Sequence, residues 1–531
     1  MQPSEAAVNQ SASAPSAQPS SAGWAYRIAL ILLLAASFVI RLRCLACKPF
    51  WFDEGFSVEV ARIDWGNFFH LMWWREANMA LYYVLLRFWL HFGESPFFIR
   101  SLSAVIAAAT LPGIYWLARL LYDRRVALIA AALFCVNGYN VRYAQEARSY
   151  ALFVLLATLS SAFLISWIAQ PSHRKWRGYV LMSVLAVYSH LYAMLLLLSH
   201  WIVLRWIPPR SESKEISAQG RRAWRLIAVA ILPLLVFVAK TGAGPIRWIH
   251  RPGIRDLTEF FENLSGSNSW PLALMYAVAC AVAVTTVGSC LFRKPPQGQP
   301  WKVWRVQFLL MWLLFPITLT VVLSFARPVF LGRYMIFCLP PLVILAAAGL
   351  ARLRKSWMLA ATLAVMLFFG WRGVSFVYSH DFDDERDASA AASNFVLDHA
   401  QPGDAILFHI AATRVPYEFF RSLRAGQNTA NPAFTAQLGP EILFPYHGPG
   451  LDYRDFTGKP TADFLHGVAL GHPRVWVMLM NNGSAQKPDP TTVMLTQVLP
   501  ESFPKAQSFH FAKVELRLYA KQQAGFSEPK Q

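Results

Sequence analysis

Repeated runs of about 20 mostly apolar residues constrain this chain more than any other feature of its sequence. A helix of that length crosses a hydrocarbon layer about 30 Å thick, and inside lipid a helix satisfies its own backbone groups. Of the 531 residues, 55% are hydrophobic and only 15% are charged, against about 25% in soluble domains. The sequence therefore predicts a polytopic α-helical membrane protein with about eleven transmembrane helices. The predicted spans are 24–42, 97–121, 126–143, 149–169, 178–190, 191–206, 226–241, 271–291, 306–325, 334–351 and 357–377.

The two short spans, 178–190 and 191–206, leave two interpretations open. They could form one long helix, or two helices broken near Ser189 and His190. The total therefore remains approximate.

Basic residues lie between the apolar segments and not on one surface. The net charge of +19 therefore indicates topology signals and contacts with anionic membrane lipids, and no nucleic acid is expected as a partner. Since Lys and Arg accumulate in cytoplasmic loops, we predict that the N-terminus is inside and everything after about residue 378 is outside. The basic loops that set this topology are 123–125, 173–177, 207–225, 293–305 and 352–355.

This topology has a consequence for the apolar stretch Leu81–Phe92. Counted as a span, it would move Arg124 and Arg125 to the outer face, so we interpret it as a short interfacial helix within an outer loop over 43–96. In the same loop, Cys44 and Cys47 are interpreted as two small residues near a helix end, in preference to a redox or metal site.

The two ends of the chain differ from the middle in composition. Residues 1–23 are rich in Ser, Ala, Gln and Pro and predict a disordered cytoplasmic tail before a first span that is retained. Residues 381–531 predict a small extracytoplasmic α/β domain. It opens on an acidic cluster, Asp381–Asp387, followed by a helix over 388–400 and strands over 405–410, 473–480 and 513–520.

Two adjacent acids, Asp53 and Glu54, follow the first span in a surrounding sequence rich in Trp and Phe. Ionisable groups near membrane depth are costly and often functional, and a desolvated carboxylate has the raised pKa that suits a general base. The alternative, a solvated loop acid, stays open on spacing alone.

A second polar run lies in the turn between two predicted spans. It reads Tyr143-Ala-Gln-Glu146-Ala-Arg148-Ser-Tyr150. Glu146 and Arg148 are two positions apart and do not share a helix face, so one side chain is free to enter a cavity. A simple capping charge pair is the alternative.

Arginines also recur in outer segments where the topology rule expects few basic residues. Because Arg binds phosphate through two hydrogen bonds, Arg333, which opens a span, is the best candidate for a phosphate contact. His190 and Tyr192 lie at another outer mouth, where a structural hydrogen bond is the alternative for the histidine. The other outer arginines are Arg142, Arg148, Arg247, Arg251, Arg255 and Arg327.

The order of these motifs resembles the GT-C glycosyltransferases of family 39, which include the protein O-mannosyltransferases and the lipid A aminoarabinose transferases. The resemblance covers about residues 24–380 and rests on Asp53-Glu54, on Leu81-Tyr82-Tyr83, on Gln-Glu146-Ala-Arg148-Ser-Tyr and on Gly-Arg333-Tyr. It implies an enzyme of the bacterial inner membrane that moves a hexosyl or pentosyl group from a polyprenyl-phosphate donor. The acceptor would be a glycolipid, a polysaccharide or a protein on the outer face.

The resemblance also implies roles for particular residues. Asp53 would be the catalytic base, Glu54 its support and Glu146 the second catalytic acid. Asn78-Met79-Ala80 stands where relatives often have His-Pro-Pro, which would affect donor contacts or loop rigidity. The implied set of donor-phosphate and substrate-binding residues is Arg148, Arg333, Tyr82, Tyr83, Tyr143 and His190.

The residue types fit such a transfer independently of the resemblance. A sugar on a lipid phosphate already carries a good leaving group, so one carboxylate base and positive charge on the phosphate would suffice. Direct displacement would invert the anomeric centre. No cofactor is required, and a divalent metal is conceivable although two adjacent acids do not define a metal site.

Two other classes of function remain open. A transporter or flippase of a lipid-linked anion predicts ionisable residues in mid-span and an inverted repeat, whereas the acids of this chain cluster in outer loops. An assembly protein that works through its outer domain would need far fewer spans.

Overall fold

The computed structural model describes residues 21–205, 213–242, 249–266, 269–285, 287–288, 300–379, 388–427, 438–445, 451–456, 458–480, 483–484 and 487–521. The predicted acidic cluster Asp381–Asp387 lies outside these residues. So does the predicted disordered tail as far as residue 20, and the first helix begins at Ser21.

The described part of the chain up to Ser379 is helical. A 3₁₀ helix, Gly332–Cys338, leads directly into α15. The α-helices are α1 (Ser21–Leu42), α2 (Phe52–Arg62), α3 (Trp65–Trp74), α4 (Ala80–Leu90), α5 (Pro96–Leu121), α6 (Arg124–Cys135), α7 (Gly138–Ala144), α8 (Tyr150–Ala169), α9 (His173–Ser189), α10 (Ala193–Leu204), α11 (Ser213–Thr241), α12 (Ile254–Ser265), α13 (Trp270–Thr285), α14 (Pro300–Ala326), α15 (Leu339–Leu350) and α16 (Ser356–Ser379).

Every predicted span corresponds to helix, but not every helix is long enough to cross a membrane alone. Among the described residues, seven helices are sufficiently long and apolar, and nine if each of two bent pairs is one span. One bent pair is α6 and α7, whose axes differ by 61°. The two short predicted spans are α9 and α10, of 17 and 12 residues, with a break at 190–192 that matches the two-helix interpretation.

The segment over 43–96, which the sequence predicted as an outer loop, is largely helical and forms a packed layer. The predicted interfacial helix over Leu81–Phe92 is α4, which packs against α2, α5 and α9 and buries Tyr82, Tyr83 and Leu86. A disulfide joins Cys44 and Cys47 just after α1. The sequence did not predict this bond, since the two cysteines were interpreted as small residues near a helix end.

The C-terminal part is an α/β domain, as predicted. In its described residues, five strands form one sheet in the order β2-β1-β3-β7-β6, in which β2, β1 and β3 are parallel and β7 and β6 are antiparallel. The described strands of the whole domain are β1 (Ala405–His409), β2 (Glu441–Phe444), β3 (Arg474–Met480), β4 (Gly483–Ser484), β5 (Lys487–Pro488), β6 (Lys505–Phe511) and β7 (Val514–Ala520), of which β4 and β5 lie outside the five-stranded sheet. The helices of the domain are α17 (Ala388–His399), α18 (Arg414–Gln427), α19 (Ala462–Gly471) and α20 (Pro490–Ser502), with short 3₁₀ helices over Ala411–Thr413 and Tyr453–Phe456.

Helices cover both faces of this sheet. Because side chains alternate along a strand, Ile406 and Phe408 pack into the core beneath α17 and α18, whereas Ala405 and Leu407 pack beneath α19 and α20. Two such cores bury the near-continuous apolar runs of β1 and β3.

Candidate active site

The two predicted loop acids open helix α2. Trp51 precedes the helix, and Asp53 and Glu54 occupy its first turn, where the helix dipole favours negative charge. The Ser57 hydroxyl donates a hydrogen bond to the Asp53 carbonyl (2.8 Å). Because consecutive residues of a helix point in different directions, the two carboxylates meet different partners.

Glu54 is fully buried and bound to Arg100 of α5. The Arg100 Nε and Nη2 atoms donate to its two carboxylate oxygens at 2.8 and 2.6 Å, and the Ala147 backbone N–H donates at 2.8 Å. Arg100 also donates to the carbonyls of Leu45, Lys48 and Pro49. The Glu54 carboxylate thus ties the first outer loop to α5 and to the turn before α8, so its geometry is that of a positioning residue.

Asp53 faces two arginines from distant parts of the chain. Its carboxylate lies 3.5 Å from Arg148 Nη2 and 3.9 Å from Arg333 Nη2, and its side chain is 22% exposed. Arg148 also donates through Nη1 to the Ser57 hydroxyl at 3.3 Å. Two guanidinium groups from distant parts of the chain therefore converge on one partly exposed carboxylate.

Buried polar groups surround these arginines. His190 stacks on Phe153, with ring centres 4.9 Å apart, and its Nδ1 accepts from the Tyr192 backbone N–H at 3.2 Å. The neutral ring therefore carries its proton on Nε2. Neither His190 Nε2 nor the Tyr150 hydroxyl has a hydrogen-bond partner among the described residues, and buried groups of that kind call for an explanation.

Three further residues of the predicted site are the tyrosines Tyr82, Tyr143 and Tyr83. The Tyr82 hydroxyl is hydrogen-bonded to Ser103 (2.8 Å), which in turn donates to the Arg148 carbonyl, so Tyr82 supports the backbone of Arg148. Tyr143 packs its ring against Tyr150 at 4.9 Å. The Tyr83 hydroxyl is buried and has no hydrogen-bond partner among the described residues.

Glu146 borders a separate pocket beside the two arginines. Its carboxylate lies 3.9 Å from Arg142 Nε. The pocket is small, with a volume of about 40 Å³, and is also lined by Lys48, Trp51 and Gln145. Trp51 connects the two regions because its ring also lies 5.7 Å from the Arg333 guanidinium carbon.

Sequence reasoning missed Arg100 and Glu76. The signal for Arg100 was an arginine four residues into a predicted span, a position that is costly in lipid unless the charge is paired. Glu76 lies between α3 and α4, and burial raises its pKa to about 7, with Arg148 opposing and Asp53 adding to that shift. Nothing in its local sequence distinguished it from an ordinary loop acid.

A divalent metal was left open by the sequence. Within the residues that the structure describes, no group of three or more His, Cys, Asp or Glu side chains is arranged to hold a metal ion. Metal assistance therefore stays a prediction without a site assigned to it.

Comparison of sequences finds no match to a protein-family model or to a curated protein, whereas comparison of structures finds several. ArnT from Cupriavidus metallidurans bound to undecaprenyl phosphate superposes with a TM-score of 0.59 at 12% identity, over 96% of this chain and 100% of that one. The oligosaccharyltransferase AglB from Archaeoglobus fulgidus, in complex with an inhibitory peptide and a dolichol-phosphate, gives a TM-score of 0.53 at 9% identity. That alignment covers 86% of this chain and 69% of AglB. Together with the apolar helices, these similarities show that the chain is a multi-pass membrane protein with the GT-C fold.

Proposed function

We propose that this protein is an integral membrane glycosyltransferase that moves a sugar from a polyprenyl-phosphate donor to an acceptor on the outer face. The observation that carries the proposal is the Asp53 carboxylate held at 3.5 and 3.9 Å from Arg148 and Arg333. A base and two phosphate-binding cations at one position are the groups such a transfer requires. The undecaprenyl phosphate and dolichol-phosphate bound to its structural neighbours support the lipid class of the donor.

In this proposal the donor phosphate binds to Arg148 and Arg333. Charge-assisted hydrogen bonds from guanidinium groups are about twice as strong as neutral ones. The His190 Nε2–H and the Tyr150 hydroxyl, both buried and without described partners, would donate to the same phosphate. These contacts strengthen as negative charge grows on the departing phosphate, and this stabilises the transition state.

Asp53 then acts as the base. The acceptor hydroxyl oxygen attacks the anomeric carbon, its proton passes to the Asp53 carboxylate, and the bond from the anomeric carbon to the phosphate oxygen breaks with its electron pair on the phosphate. One displacement without a glycosyl-enzyme intermediate inverts the anomeric centre. Donor binding also helps the base, because a phosphate that takes over the two arginines releases Asp53 from its ion pairs.

The finer parts of the proposal concern location and partners. We place the protein in a bacterial inner membrane, with a cytoplasmic N-terminus and an extracytoplasmic C-terminal domain. The donor carries a hexosyl or pentosyl group, and the acceptor is a glycolipid, a polysaccharide or a protein. Glu54 acts by positioning the loop, and Glu146 and Trp51 line the same small pocket.

Complementation of a deletion strain tests the proposal. Wild-type protein should restore a glycolipid or glycoprotein that mass spectrometry finds missing from the envelope of the deletion strain. Asp53→Asn should not restore it, although the variant accumulates normally in the membrane and still binds undecaprenyl phosphate. Glu259→Gln, an exposed acid of α12, is the matched control and should behave as wild type.

Each outcome has a clear meaning. Full product with Asp53→Asn refutes the assignment of the base. An envelope identical with and without the wild-type gene refutes the transferase proposal. Flux of a lipid-linked substrate in proteoliposomes without a covalent product would favour the transporter instead.

A further inference from the structure

Helix α18 belongs to the C-terminal domain but also packs against the membrane domain. It crosses from β1 to β2, and its Tyr417 packs on Phe408 of the sheet with ring centres 5.1 Å apart. Its Phe419 and Phe420 turn the other way and are buried in the hydrophobic core of the membrane domain. One helix is therefore part of two cores.

The membrane-side face of α18 contacts the start of α2. A Cβ added at Gly55 would lie 3.3 Å from Pro416 Cα and 3.4 Å from Pro416 Cβ, so the two helices approach to a distance that only glycine permits without adjustment. The ring of Phe419 lies 4.7 Å from that of Phe50. Gly55 and Phe50 flank Asp53 within three residues on either side.

The other end of α2 is bound to the same helix. Arg62 Nη1 donates to the Ser422 hydroxyl at 3.2 Å, and its guanidinium carbon lies 5.9 Å from the centre of the Phe419 ring. Arg62 also pairs with Glu59 (2.6 Å) and with Glu94 (2.8 Å). Helix α18 thus contacts both ends of the helix that carries the proposed base.

We propose that Pro416 and Phe419 of the C-terminal domain are positioning residues that set the place of α2, and with it the distance from Asp53 to the two arginines. The inference rests on the proposed function for its meaning, but its contacts are independent of it. Arg148 and Arg333 lie outside α2, so displacement of α2 changes the distance from the base to both arginines. The competing possibility is that the Glu54–Arg100 pair alone holds α2, in which case α18 only covers the site.

Phe419→Ala in the full-length protein separates these possibilities, with Phe503→Ala as the matched control. Both changes remove a buried phenyl ring from the C-terminal domain, but Phe503 belongs to the core beneath α19 and α20. Hydrogen exchange of the peptide over 50–62 is measured in detergent without substrate. We expect Phe419→Ala to accelerate exchange of that peptide about tenfold or more, and Phe503→Ala to leave it within about twofold.

Product formation and the affinity for undecaprenyl phosphate are measured in parallel on the same variants. Because a displacement of about 1 Å can reduce turnover about 100-fold, Phe419→Ala should strongly reduce the restored product while the affinity for undecaprenyl phosphate stays within about twofold. Phe419→Leu keeps an apolar side chain against Phe50 and should recover most of the product. Gly55→Ala, which pushes from the opposite side, should reproduce the split between product formation and lipid binding.

Unchanged exchange over 50–62 in both Phe419→Ala and Gly55→Ala overturns the inference, as does an equal effect of Phe503→Ala. A general loss of structure would accelerate exchange throughout the C-terminal domain and abolish lipid binding, and this too counts against positioning. Hydrogen exchange does not depend on the reaction, so failure of the transferase proposal leaves this test intact.

Discussion

Removal of the Glu54 carboxylate should destabilise the protein far more than removal of the neighbouring Asp53 carboxylate. Glu54 accepts three hydrogen bonds at 2.6 to 2.8 Å, two from Arg100 and one from the Ala147 N–H. In Glu54→Ala the Arg100 guanidinium, only 4% exposed, loses its two hydrogen bonds to the Glu54 carboxylate.

The magnitude follows from those contacts. Breaking a buried ion pair by removing one partner costs about 3–5 kcal/mol, and an orphaned buried N–H costs about 1–3 kcal/mol. The two terms overlap because they share a site, and three backbone carbonyls still accept from Arg100. We therefore expect a loss of about 4 kcal/mol. Asp53→Asn, which affects only two long contacts of a partly exposed group, should change stability by about 1 kcal/mol or less.

The stability of both variants is measured by unfolding with SDS in mixed micelles, followed by tryptophan fluorescence. The double variant Glu54→Leu/Arg100→Met removes both charges and should recover most of the loss, because an apolar pair can replace a buried ion pair. A Glu54→Ala protein within about 1 kcal/mol of wild type, or a double variant less stable than Glu54→Ala, would refute the reasoning. Partial product from the double variant would show that Glu54 does not take part in the reaction.

Three other predictions concern binding and pH. Arg333→Met should weaken binding of undecaprenyl phosphate about 10- to 100-fold, since a charged hydrogen bond is worth about 1.5–3 kcal/mol, whereas Arg327→Met, an exposed arginine of the same turn, should not. Burial raises the pKa of Glu76 to about 7, so above that pH it is ionised beside Arg148 and opposes an anion. Glu76→Gln should therefore bind undecaprenyl phosphate about fivefold more tightly than wild type at pH 8.5 but equally at pH 5.5, and a ratio that does not vary with pH contradicts this. Burial likewise raises the pKa of Glu59 from 4.5 to about 7, with Arg62 opposing. The folded state then binds more protons than the unfolded state between those values, so stability should fall as the pH rises through that window. Thermal unfolding of Glu59→Gln should lack this fall.

Much of the architecture was predictable because lipid imposes simple rules. The apolar segments became helices, although α11 and α14 begin well before the predicted spans 226–241 and 306–325, and the C-terminal domain has its predicted strands at 405–410, 473–480 and 513–520 to within one residue. The span count was less predictable. Helix α10 shows that an apolar segment can lack the length to cross a bilayer alone.

The candidate site was likewise predictable only in part. The motifs identified Asp53, Arg148 and Arg333, and the structure brings these three together. The motifs did not separate the roles of Asp53 and Glu54, because the direction of each carboxylate depends on partners in distant parts of the chain. Arg100 is 46 residues from Glu54, and no local pattern links them. The pairing of α18 with α2 was missed for the same reason. The disulfide between Cys44 and Cys47, three positions apart, was missed because the two cysteines were interpreted as small residues near a helix end.

The sequence by itself determined that this chain is a membrane protein with a C-terminal α/β domain, because hydropathy and strand patterns depend only on local composition. It also supplied Asp53, Arg148 and Arg333 as candidates for the site. Only the tertiary structure decided that Asp53 faces two arginines while Glu54 is bound to a third, and that a helix of the C-terminal domain contacts both ends of α2. Those facts come from side chains far apart in the chain, whose contacts arise only when the helices pack.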